Sequence, residues 1–214
     1  MRRSDFETIF NPMKQTLLLL FISFISLAGH AQEMTATYYN YSVPKGLTPA
    51  DYKRAIKGYS DVLAKNPKDA DAYVNRAKAR IELKEYDGAI LDFNSAIKYK
   101  PSNLDAVYNR GVAKIITGDY RSAITDMSRV VKANPKDAEA YANRGFSKMK
   151  LNNPKGAIQD YTLAIKADPT YTEAYYYRGM LNSQLNKEKE ACADWEKAAA
   201  FDSRAAKMLK KHCK

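Results

Sequence analysis

Residues 140–145 read Ala-Tyr-Ala-Asn-Arg-Gly, and residues 157–169 read Ala-Ile-Gln-Asp-Tyr-Thr-Leu-Ala-Ile-Lys-Ala-Asp-Pro. Ala140, Tyr141, Arg144, Gly145 and Lys148 fall on one side of a helix. Ala157, Ile158, Tyr161, Ala164 and Ile165 then form the i, i+3, i+4, i+7 stripe of a second helix. Asn152-Asn153-Pro154 separates the two, and Pro154 suits the first turn of a helix, where no backbone donor is needed. The stretch therefore predicts a helix–turn–helix hairpin that closes at Pro169.

The same hairpin recurs on a ruler of 34 residues. Pro67, Pro101, Pro135 and Pro169 keep that spacing, and so do Ala72, Ala106, Ala140 and Ala174, and Ala89, Ala123, Ala157 and Ala191. Arg76, Arg110, Arg144 and Arg178 form a basic column; Asp92, Asp126, Asp160 and Asp194 form an acidic one. A bulky residue recurs at Phe93, Met127, Tyr161 and Trp195. Chance does not hold six columns in phase over four copies, and a fixed period of this length is the mark of stacked repeats. Gly118 breaks the second copy as Asn152-Asn153 breaks the third. Ser102 with Asp105, and Thr170 with Glu173, have capping-box spacing at the start of first helices.

These columns and the closing proline resemble tetratricopeptide (TPR) repeats, in a variant reading A-Y-x-N-R-G … A-I-x-D-Y-x-x-A-I-x-x-x-P. The resemblance implies an all-α, right-handed superhelix of stacked hairpins, with full repeats over 70–103, 104–137, 138–171 and 172–205. Thr48-Pro49 starts a half unit over 49–69 that carries Tyr52, Ala55, Ile56, Tyr59 and Val62 in register. Residues 36–47, with Pro44 and Gly46, depart from the pattern, so 32–48 is read as an extended arm. The last helix, Ser203 to Lys214, places Ala205, Ala206, Met208 and Leu209 as a lid on the final apolar face, with 206–214 a basic capping segment.

The Arg and Asp columns lie on the two antiparallel helices of one hairpin, beside apolar stripes. A guanidinium–carboxylate fork satisfies both groups where either alone would be costly. Four equivalent copies imply an internal brace rather than catalysis: Arg76 with Asp92, Arg110 with Asp126, Arg144 with Asp160, Arg178 with Asp194. The usual TPR pattern has an aliphatic residue at the Arg slot. The resemblance further implies that first helices line a concave groove presenting Asn75, Asn109, Asn143 and Tyr177, beside Val74, Tyr108, Ala142 and Tyr176, and then Lys78, Val112, Phe146 and Met180. Carboxamides there would bond an extended peptide backbone, and the aromatic groups would anchor it. The alternative for Val112, Phe146 and Met180 is packing between neighbouring helices. Chaperone-binding members clamp a terminal carboxylate with Lys and Arg. Here the corresponding slots hold Asp105, Tyr108 and Glu139, a departure from that pattern. Asp71, Asp105, Glu139 and Glu173 sit in the first turns of first helices, where they complement the helix dipole or contribute to the groove.

Outside the repeats, Leu17 to Ala28 is an apolar run broken only by Ser23 and Ser26, preceded by Lys14 and followed by Gly29-His30-Ala31. It is too short for a good membrane span and reads as a Sec signal peptide ending at residue 31, with Met13 as the better start. The expected location is periplasmic or secreted. The chain has 214 residues and a formal net charge of +11; without residues 1–31 it keeps 32 basic and 22 acidic side chains. Mean hydropathy of −0.54 excludes a polytopic membrane protein. Two His and two Cys leave little for a metal site or a nucleophile–base pair. In an exported chain, Cys192 and Cys213 are expected as a disulfide, with free thiols as the alternative.

The functional expectation is a non-enzymatic scaffold for a protein or peptide partner, with no catalytic residues, cofactor or metal. No nucleic acid is expected, and membrane contact only through an uncleaved leader or the tail. Arg204, Lys207, Lys210, Lys211 and Lys214, with no acid after Asp202, also permit a polyanion-binding reading; self-assembly through the terminal repeats is a third.

Overall fold

The computed structural model describes residues 48–213. The leader, the arm save Thr48, and Lys214 lie outside the described residues. The described chain is α-helix joined by short turns: α1 (Pro49–Lys65), α2 (Ala70–Glu82), α3 (Tyr86–Tyr99), α4 (Leu104–Thr117), α5 (Tyr120–Ala133), α6 (Ala138–Lys150), α7 (Pro154–Ala167), α8 (Thr172–Gln184), α9 (Glu188–Ala198) and α10 (Ser203–His212). Each helix packs on its neighbours in sequence, and α4 also touches α6, so the first helices of successive hairpins lie side by side. Among the described residues no helix is long and apolar enough to cross a membrane.

Local chemistry sets the boundaries. Thr48 caps α1 in a reciprocal box with Asp51. Asp69, Asn103 and Asp137 cap α2, α4 and α6 by accepting from the amides of Ala72, Ala106 and Ala140 at 2.9–3.0 Å. The boxes expected at Ser102 and Thr170 do not form. Asn103 supplies the cap of α4 in place of Ser102, and the Thr170 hydroxyl bonds Asp168 at 2.6 Å instead, so α8 starts behind Tyr171 without a side-chain cap. Within each hairpin the chain turns through one residue of positive φ: Lys84 (61°), Gly118 (86°), Asn152 (57°) and Asn186 (57°). Glycine and asparagine tolerate that region; lysine is strained there. Between hairpins, the residue before each closing proline leaves the helical region, with φ of −127 to −138° and ψ of 79 to 100°, because the proline ring disfavours a helical residue before it.

The alanine columns permit close helix approach. Ala72, Ala106, Ala140 and Ala174 are wholly buried, as are Ala89, Ala123, Ala157 and Ala191. Phe93, Met127, Tyr161 and Trp195 fill the space between them. Gly179 is obligatory for contact: a Cβ there would stand 2.6 Å from the Trp195 indole nitrogen.

A buried aspartate occupies the centre of every hairpin. Arg76, Arg110, Arg144 and Arg178 place Nε and Nη2 against the two oxygens of Asp92, Asp126, Asp160 and Asp194, at 2.9–3.0 and 2.5–2.7 Å. The remaining nitrogen, Nη1, donates to the second helix of the preceding hairpin, at Ser60, Asn94, Ser128 and Thr162. One guanidinium thus joins three helices. The aspartate also receives a second cation that the sequence reading missed: Arg80, Lys114 and Lys148, one turn beyond the first, lie 2.6–2.8 Å from it. In the fourth hairpin Asn182 takes that place and donates to Asp194 at 3.3 Å. The signal was present as a further column on the 34-residue ruler.

The final apolar face is covered by α10, which ends at His212 rather than Lys214, with Cys213 as its C-cap. Cys192 and Cys213 form a disulfide, Cα atoms 5.7 Å apart, which ties the cap to α9. Ala205 is buried against Trp195, and Met208 and Leu209 pack around them.

Replacing Asp160 by Ala leaves Arg144 and Lys148 without their acceptor and is expected to cost about 3–5 kcal/mol in urea denaturation. Asp194→Ala strands one cation and is expected to cost less; equal costs would contradict the two-cation account. Lys84→Gly relieves the positive-φ strain and is expected to stabilise by about 1 kcal/mol in the same measurement. Cys192→Ser with Cys213→Ser opens a loop closed across 21 residues and is expected to lose about 3 kcal/mol, with α10 exchanging its amide hydrogens first.

Candidate functional site

The first helices α2, α4, α6 and α8 present the face on which the groove residues were expected, and the structure divides them into three groups. Asn75 is only 7 % exposed, so it offers no surface to a partner; this corrects the expectation that it lines an open groove. Val112 packs against the cluster of Val107, Met127 and Val130, and Met180 against that of Trp195 and Ala205. Both take the packing role. Tyr176 also joins the Trp195 cluster, and the Arg204 guanidinium lies 4.3 Å from its ring centroid. The cap therefore occupies the C-terminal end of this face.

The remaining groups converge in the middle. Asn143 donates to the Tyr108 hydroxyl at 3.1 Å across the α4–α6 seam. Phe146 meets Tyr120 and Tyr177 edge to face, at centroid distances of 6.4 and 5.8 Å. Tyr177 in turn stacks on Tyr161 at 5.7 Å. Asn109 is turned onto its own helix, donating to the Asp105 carbonyl and carboxylate at 2.8 Å. Between α6 and α8 lies a cleft of about 240 Å³, lined by Ala142, Asn143, Phe146 and Tyr177, with Ile115, Tyr161, Tyr171 and Glu173 completing it.

The cleft is polar at its rim and aromatic at its walls. Burial, followed by the Glu139 carboxylate beside it, pushes the Tyr108 phenol above its ordinary range, so it is neutral and a hydrogen-bond donor. Burial and then Glu173 do the same to Tyr171. Sequence reasoning missed Tyr171, although it breaks the N-cap column of Asp69, Asn103 and Asp137. It also assigned Tyr161 to the core without asking what its hydroxyl meets. Arg204, at the end of the fourth repeat, was read only as part of the basic tail and not as a partner of the aromatic face. Among the described residues no group of three or more His, Cys, Asp or Glu side chains is arranged to hold a metal ion.

Comparison with known proteins places this architecture. The tetratricopeptide-repeat family models match residues 50–103, 104–137 and 138–171, more than half of the chain. No curated protein matches it. Among solved structures, MamA (residues 41 to the end) from Desulfovibrio magneticus RS-1 superposes with a TM-score of 0.72 at 19 % identity, covering 85 % of this chain and 96 % of that one. A second MamA structure gives 0.69 at 23 % identity, covering 74 % and 92 %. YrrB, described as a TPR protein with an unusual peptide-binding site, gives 0.68 at 21 % identity, covering 75 % and 84 %. At such identities the likeness is one of fold, whereas the family rests on the repeats themselves: the chain belongs to the tetratricopeptide repeat family.

Proposed function

We propose that this protein is an exported, non-enzymatic scaffold that binds an extended segment of a partner protein on the face formed by α4, α6 and α8. The observation that carries the reading is the convergence of Asn143, Phe146 and Tyr177 around one cleft, with Tyr108 bonded to Asn143, so that aromatic and carboxamide groups are half exposed where the rest of the hairpin interior is closed. Such a surface supplies rigid aromatic anchors and groups that pair with a peptide backbone. Family membership supports protein interaction as the class of activity, and YrrB is a structural neighbour whose peptide-binding site has been noted. Export rests on the leader reading of residues 1–31 and places the partner in the periplasm or outside the cell.

The basic tail supports a second reading, an anionic polymer held along α10. One observation weakens it: Arg204 is committed to Asp202 at 2.7 Å and to the Tyr176 ring, which leaves Lys207, Lys210 and Lys211 as the free cations of the described helix.

The experiment is capture of partners from the cell envelope by wild-type protein, by a Tyr108→Ala, Phe146→Ala, Tyr177→Ala variant and by a Lys207→Glu, Lys210→Glu, Lys211→Glu variant. Helical circular dichroism monitors folding. The groove reading expects loss of partners only in the first variant. Loss only in the second, with capture falling steeply as salt rises, would establish the anionic-polymer reading instead.

A further inference from the structure

Resting on the groove reading, we propose that the α6–α8 cleft is a subsite for one basic side chain, arginine or lysine, of the bound segment. Three observations converge on it. The first is the acidic column at the helix starts. Asp71 and Asp105 are paired, with Lys100 at 3.4 Å and Lys78 at 2.8 Å. Glu173, which lines the cleft, has no lysine or arginine partner among the described residues. Of the cations of α6, Arg144 and Lys148 both bind Asp160, and Lys150 lies over the Phe146 ring without reaching a carboxylate. The cleft therefore carries one carboxylate, Glu173, that forms no ion pair among the described residues.

The second observation is Tyr161. It is 1 % exposed, lines the cleft, and its hydroxyl is buried without a hydrogen-bond partner. In the same column Phe93 and Met127 carry no side-chain N–H or O–H group and the Trp195 N–H donates to the Tyr176 carbonyl at 3.4 Å, so Tyr161 alone has a polar group left unpaired. A buried hydroxyl left unpaired is costly, and such a group beside a cleft marks where an incoming polar group would bond. An ammonium or guanidinium donating to Tyr161 Oη and to Glu173 would satisfy both.

The third is the behaviour of the aromatic walls. Lys150 Nζ lies 5.4 Å from the Phe146 centroid, and the Arg204 guanidinium lies 5.7 Å from that of Tyr177. These rings already attract cations from within the chain, through the negative potential of their faces. Arg204, held by Asp202 and stacked on Tyr176, shows the arrangement that an incoming arginine would repeat one step along: a carboxylate at the guanidinium edge and an aromatic ring at its face. Arginine is favoured over lysine because its planar fork can use both at once.

The test uses the full chain and capped alanine pentapeptides carrying arginine, citrulline or glutamate at the centre, followed by amide and side-chain chemical shifts of α6–α8. Arginine peptide is expected to give saturable shifts at Phe146, Glu173 and Tyr177, with citrulline weaker by about tenfold or more, because it keeps the shape and loses the charge. Glu173→Gln is expected to remove the preference for arginine. Tyr161→Phe is expected to weaken arginine binding while raising the urea midpoint of the free protein, since it deletes an unpaired hydroxyl. Equal binding of the three peptides, no binding at all, or indifference to both substitutions would overturn the subsite. If the alanine-substituted groove variant still loses its envelope partners in that event, the groove reading stands and only the basic specificity falls. If those partners are retained as well, both fall.

Discussion

A carboxylate that cannot reach water governs this fold. Asp92, Asp126, Asp160 and Asp194 are buried at the centre of their hairpins, and a lone buried charge would cost several kcal/mol. The fork of the facing arginine removes that penalty and orients the aspartate. Its third nitrogen then reaches the preceding hairpin, so the device that neutralises a repeat also joins it to its neighbour. The same fork and the same reach to the preceding hairpin recur in all four copies.

Close approach is the condition for that geometry. The fork spans the hairpin because alanine and glycine line both helices, and because one larger residue per repeat fills what they leave. The tyrosines Tyr73, Tyr141 and Tyr175 lie 5.4–5.7 Å from their arginines, one turn earlier on the same helix, and Val107 stands in that slot in the second repeat. With its interior closed in this way, the stack leaves its unsatisfied chemistry on the first-helix face, between α6 and α8. The disulfide and α10 close the C-terminal end, and Arg204 fills the aromatic surface there.

Most of the fold was legible in the sequence because repetition turns each column into a fourfold test. The 34-residue ruler located the hairpins, the buried alanines and the Arg–Asp pairing positions, and the TPR resemblance named the architecture. What escaped it was local or non-repeating. Cap position depends on which of two adjacent polar residues reaches an amide, so Asn103 stood where Ser102 was expected. Asn75 looked identical to Asn109 and Asn143, yet it is covered where they are half exposed, because depth varies along the stack while the pattern does not. Tyr171 departs from its N-cap column, and Tyr161 was read only as the bulky member of its own, without regard to its hydroxyl. A reading built on agreement among copies passes over such differences, and these two border the cleft.

The central claim is that function resides on the first-helix face rather than on the second helices or the basic cap. A photo-activatable cross-linking residue at Phe146, compared with one at the exposed Gln159 of α7 and one at Lys210 of α10, tests it in the native envelope. Mass spectrometry then identifies what each position touches. The account predicts one discrete protein partner cross-linked from position 146 and absent from 159 and 210. Cross-linking confined to 159 or 210, with none from 146, would contradict it.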